Sequence, residues 1–145
     1  MKVLVDADAC PRGVKEAIMR LRPKYGYEIL SVSSFNHVHS EEYHITVGDE
    51  DQAADITLLN KVEKGDIVVT QDWGVAAVAC GKGAAAIDPG GRVFNDQMID
   101  FLMEERHLKA KFRRGGGRTR GPAARTKEDD RRFIAALTRL LDTMI

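Results

Sequence analysis

Three apolar runs in this chain stop at an aspartate. Val3-Leu4-Val5 ends at Asp6, with Asp8 two residues on, Ile67-Val68-Val69-Thr70-Gln71 ends at Asp72, and Ala84-Ala85-Ala86-Ile87 ends at Asp88. Short apolar runs separated by helix-like segments are the mark of buried parallel strands. The carboxyl ends of such strands share one sheet edge, where α/β proteins place their ligand sites. Acids far apart in sequence therefore meet, and clustered carboxylates need protons or a cation to coexist. Hard divalent ions such as Mg²⁺ and Mn²⁺ favour oxygen ligands of this kind. The chemistry first suggested is an acidic, metal-binding site.

Asp6 and Asp8 lie two apart in an extended segment and point to one side; as an alternative they serve as turn and helix-cap residues. Asp51 and Asp55 are one helical turn apart and can face the same site. For Asp51 a plain surface helix start is the better account, whereas Asp55 lies beside an inward stripe. Thr70 can hydrogen-bond a carboxylate, position a water or simply pack. Asp88 precedes Pro89-Gly90 and suits an Asx turn. His37 and His39 could offer two imidazoles, but no third ligand stands at a recognisable spacing, so a surface loop is preferred. Cys10 precedes a helix start, where a thiolate is favoured, yet no His partner is fixed and a buried or capping cysteine is the safer reading. Trp73 borders the acids and is read as packing.

The elements that must position these residues follow from periodicity. Residues 2–6, 27–32, 43–47, 66–70 and 84–87 read as strands. Helices are expected from Pro11 to Pro23 and Gly26, from the Asp49–Asp51 acids to about Lys64, over 73–79, after an Asn95 cap, and from Thr126 to the end, with Phe133, Ile134, Leu137, Leu140 and Leu141 inward. Alternation of strand and helix points to a three-layer α/β/α fold with a mainly parallel sheet. The 145 residues suit one domain spanning 1–145, with a flexible basic loop at about 113–126 and a C-terminal helix.

Hydrophobic content of 43% and charged content of 30% fit a globular chain. No apolar run nears the roughly 20 residues of a membrane span, there is no signal-peptide pattern, and two cysteines make no disulfide framework. A cytoplasmic location without membrane partners is expected. Net charge is +0, but Arg106–Lys127 holds nine basic residues and no acid. An acidic body with one basic segment suggests a polyanion partner; the plainer account is a solvated loop.

The string Val5-Asp6-Ala7-Asp8-Ala9-Cys10-Pro11, with Ala53-Ala54-Asp55, Gly65 to Asp72 and Ile87-Asp88-Pro89-Gly90-Gly91, resembles the YaiI/YqxD family of small bacterial proteins. That family looks like a branch of the PIN-like nuclease superfamily, whose members hold Mg²⁺ or Mn²⁺ with three or four acids at the carboxyl edge of a parallel sheet. The resemblance implies a PIN-like domain with Asp6, Asp55 and Asp72 as metal-binding acids and Asp8 as an auxiliary catalytic acid. Related nucleases often carry asparagine where Asp8 stands, and relatives can carry asparagine at Asp88, which is therefore not counted as a ligand.

A metal-dependent phosphodiesterase acting on RNA, ahead of DNA, is the leading expectation. Thr70, Arg113, Arg114, Arg118 and Arg120 would bind substrate. One rival is a nucleic-acid-binding or regulatory module that keeps the acidic pocket without turnover. Another is a small-molecule phosphatase with Asp6 as nucleophile and Asp8 as acid, against which stand Ala9 and Cys10 where such enzymes usually show Thr or Val. Whether the chain works as a homodimer is left open.

Overall fold

The computed structural model describes residues 1–34, 44–48, 53–116 and 124–144. Five strands form one sheet: β1 (Lys2–Asp6), β2 (Glu28–Ser34), β3 (His44–Val47), β4 (Ile67–Val69) and β5 (Ala85–Ile87). Their order is β3-β2-β1-β4-β5 and every pairing is parallel. The helices are α1 (Arg12–Tyr25), α2 (Ala53–Lys61), α3 (Trp73–Gly81), α4 (Asp96–Arg114) and α5 (Lys127–Met144), with a short 3-10 turn over Ala7–Ala9.

Successive strand residues face opposite sides of a sheet, and the two apolar layers sort accordingly. Val3, Val5, Ile67, Val69 and Ile87 pack under α1 and α5, through Val14, Ile18, Phe133, Leu137 and Leu141. Leu4, Val32 and Val68 pack on the other face against α2 and α3, through Leu58, Val62, Val75 and Ala79. Ala76, Ala86, Phe94 and Ile99 join α3, β5 and α4. The fold is therefore a three-layer α/β/α sandwich around an all-parallel sheet. Among the described residues no helix is long and apolar enough to cross a membrane.

Several ends fall where local chemistry puts them. Asn95 caps α4 by accepting from Met98 N at 2.8 Å, and Thr126 exchanges hydrogen bonds with Asp129 to open α5. Two boundaries differ from expectation. Pro23 lies inside the last turn of α1, which runs on until Gly26 takes φ 73° and its N–H donates to Arg22 O. α2 stops at Lys61 rather than Lys64, because the buried Asp66 carboxylate accepts from Glu63 N and draws the chain out of the helix.

Asp66 anchors the far edge of the sheet. It is 2% exposed, accepts from Lys2 N at 2.9 Å and pairs with Lys2 Nζ at 3.0 Å. At the opposite, carboxyl edge, β1 leads into α1 on one face while its neighbour β4 leads into α3 on the other. Connections that depart to opposite faces from adjacent strands leave a crevice between them, the switch point at which open α/β sheets bind ligands.

Candidate functional site

Asp6 ends β1 and Thr70 follows β4, level with it in a register that pairs Val5 with Val69. Both project to the α2/α3 face, two positions beyond Leu4 and Val68. Thr70 is 1% exposed, and its hydroxyl donates to Asp6 Oδ2 at 3.0 Å while accepting from Asp72 N at 3.0 Å. Asp72 Oδ1 caps α3, accepting from Gly74 N at 2.8 Å and Val75 N at 3.1 Å. Asp8 Oδ1 accepts from Ser34 N at 2.9 Å and Ser34 Oγ at 3.1 Å, at the end of β2.

Asp55 approaches from the first turn of α2. Its carboxyl is pushed up to about 6, first by burial and then by the charges of Asp6, Asp72 and Asp8. Burial likewise raises Asp6; the Thr70 hydrogen bond opposes that rise, and the charges of Asp8 and Asp72 add to it. The four sequence-predicted acids thus feel one another across the crevice. No ion pair involves Asp6, Asp55 or Asp72 among the described residues.

The fit to a divalent cation rests on that unbalanced charge and on hard oxygen donors. Among the described residues no three His, Cys, Asp or Glu side chains converge closely enough to form a ready-made metal cage. Mg²⁺ tolerates this, since it usually keeps several waters and takes only one or two carboxylates. Asp6 and Asp72, with Asp55 facing them, fit an ion held partly through water.

A cleft of about 510 Å³ opens over Asp6 and Asp72, the two of the four acids that line it. Asp6, Gln71, Asp72 and Trp73 form one wall, and Arg106, Lys109 and Arg113 of α4 form the other, with Glu105. The three cations follow i, i+3, i+7 spacing and share one helix face. Arg106 stacks over the Trp73 ring at 5.1 Å from its centroid, and Lys109 pairs with Glu105 at 2.8 Å. Gln71 and Trp73 also line a second cleft of about 430 Å³, where Arg92 and Arg125 stand.

Of the expected substrate-binding residues, Arg113 lines the first cleft and Arg114 does not. Arg118 and Arg120 lie outside the described residues, as do Asp51, His37 and His39. Thr70 is buried beneath the acids and holds them. Asp88 makes the turn its neighbours suggest, accepting from Gly90 N and Arg92 N. Burial pushes the Cys10 thiol up to about 11, so it stays protonated. Arg106, Lys109 and Gln71 were not singled out from sequence; helical periodicity within the basic run would have found the first two.

The sequence model of the family described as "Uncharacterized BCR, YaiI/YqxD family" matches residues 4–143. A UPF0178 protein of Heliobacterium modesticaldum is 50% identical over 141 residues, covering 97% of each chain. One from Ruminiclostridium cellulolyticum is 46% identical over 139 residues, covering 94% of this chain and 90% of its own. A third, from Exiguobacterium sibiricum, is 43% identical over 143 residues, covering 97% and 96%. No solved structure matches the chain significantly. A match along nearly the whole length, with relatives this similar at full coverage, makes the chain a member of the YaiI/YqxD family.

Proposed function

We propose that this chain is a PIN-like, divalent-metal-dependent nuclease that hydrolyses phosphodiester bonds in RNA. The observation that carries the reading is the juxtaposition, across one cleft, of carboxylates that form no ion pair among the described residues and a helical row of cations. The acids suit a hard metal ion, and the row of Arg106, Lys109 and Arg113 suits the phosphate backbone that must lie beside it. The strand order and the placement of the acids at the switch point support the PIN-like assignment.

When bound, Mg²⁺ or Mn²⁺ would activate the attacking water and stabilise charge on the leaving oxygen. Asp6, Asp55 and Asp72 would hold it. Thr70 fixes Asp6 and the Asp72 backbone in one geometry, and the α3 N-terminus holds Asp72 Oδ1. Asp8 adds its negative charge beside Asp6. Arg106, Lys109 and Arg113 bind phosphates and align the chain without reading bases. Trp73 carries the Arg106 guanidinium over its ring and so holds that cation at the cleft.

Purified protein incubated with mixed single-stranded RNA and Mg²⁺ or Mn²⁺ tests the reading. Metal-dependent cleavage supports it. Salt-sensitive RNA binding without cleavage under either metal would replace it with a binding module, and neither binding nor cleavage would point to small phosphorylated substrates.

A further inference from the structure

α4 has a second face. Phe101, Leu108 and Phe112 are 67%, 56% and 57% exposed. At about 100° per residue they fall within about 40° of one another around the helix axis. The cleft cations Arg106, Lys109 and Arg113 project some 60–160° away from them, with Glu105 between the stripe and that row. Nothing among the described residues covers the stripe, and large apolar side chains left exposed along one helix face suit an interaction site.

We propose that a second copy of this chain covers it, α4 packing antiparallel on α4 about a twofold axis between Glu105 and Leu108. Charge selects both the partner and the direction. Of the charged residues that flank the stripe, the acids Glu104 and Glu105 lie in the first half of the helix and Lys111 in the second. Parallel packing would oppose like charges, whereas antiparallel packing sets each acidic half on the partner's basic half. A twofold contact uses the same patch on both copies, which a self-complementary helix satisfies.

In this arrangement Phe101 meets Phe112 of the other copy, twice. Glu104 and Lys111 flank the stripe on one side, are exposed, and form no ion pair among the described residues. Each lies opposite its counterpart across the axis. The 19-residue helix is about 28 Å long. A single helix pair of that length falls at the small end of specific interfaces, below about 1,200 Å², where weak, concentration-dependent association is the rule.

Sedimentation velocity of the full chain over about 1–500 µM tests this, with circular dichroism as the check on folding. The expected result is a shift from the 16.1 kDa monomer to twice that mass. Leu108→Glu stays monomeric with an unchanged spectrum. Glu104→Lys and Lys111→Glu each weaken the dimer about fivefold, and the double charge reversal restores it. A wild-type monomer throughout, or dimers indifferent to Leu108→Glu and to both charge variants, overturns the proposal. Should Leu108→Glu unfold, the charge-reversal pair decides alone.

Discussion

Thr70 Oγ1 donates to Asp6 Oδ2 at 3.0 Å, tying together the ends of two strands whose residues are 64 positions apart in sequence. The same oxygen accepts from Asp72 N, so one buried hydroxyl sets the spacing of two acids. Thr70→Ser should preserve that bridge. Thr70→Val leaves Asp6 and the Asp72 N–H short of a partner, a loss of about 1–3 kcal/mol, and should lower Mn²⁺ affinity by about 10–100-fold, the usual effect of removing an orienting partner. Isothermal titration with Mn²⁺ distinguishes the two; equal affinity in wild type and Thr70→Val would remove the bridge from the account.

Asp55 gives the folded protein a pH signature. Its carboxyl sits at about 6 when folded against 3.8 ordinarily. Between those values the folded state binds a proton that the unfolded chain does not, so this group's contribution to stability falls as pH rises through that window and is lowest above it. Metal-free Asp55→Asn should therefore melt higher than wild type at pH 7.5 and nearly the same at pH 4. Allowing for solvent screening at a half-buried carboxylate, the gain is roughly 1 kcal/mol, or about 3–5 °C. Calorimetry in chelator at the two pH values checks it; a lower melting point for the variant at pH 7.5 would mean that Asp55 is not under repulsion.

The α4 row should govern RNA affinity through salt. Replacing Arg106, Lys109 and Arg113 by alanine removes three cations from the cleft wall. For a single strand the slope of log affinity against log salt should shrink by about 2. Fluorescence anisotropy over a salt series measures it, and an unchanged slope would place the RNA elsewhere. Trimming Arg114, which lies outside the cleft, should change the slope less.

Gly91 tests the packing of α5 beneath the site. It holds φ 89°, and a Cβ there would lie 2.6 Å from Arg132 O, backbone that cannot step aside. Gly91→Ala should cost about 2–4 kcal/mol, combining left-handed strain with the clash. A urea titration showing an unchanged midpoint would contradict that contact.

Much of this arrangement is readable before folding, because it depends on local pattern. Asp6 and Asp72 are visible where apolar strands stop, and Asp55 by its place beside the inward face of a helix. The α5 start is visible in Thr126 and Asp129. What pattern does not disclose is pairing: the β3-β2-β1-β4-β5 order depends on contacts distant in sequence. Asp66 reads simply as a strand start, yet it is a buried anchor for Lys2 at the edge away from the crevice. The basic run suggested a loop by its glycines, while its first part, Arg106–Arg114, is helical and turns its cations in two directions. Phe101 and Ile99 are apolar neighbours in one helix, yet Ile99 reaches the core at 6% exposure while Phe101 stands outside it at 67%.

In the proposed function Asp6 and Asp72 hold the metal ion used to cleave RNA. The most direct measurement is single-turnover cleavage of single-stranded RNA in Mn²⁺ by wild type and the Asp6→Asn/Asp72→Asn double variant, with RNA binding and circular dichroism measured alongside. The account predicts that the variant stays folded, still binds RNA, and loses cleavage by about 10³-fold or more. Cleavage retained at the wild-type rate would contradict it.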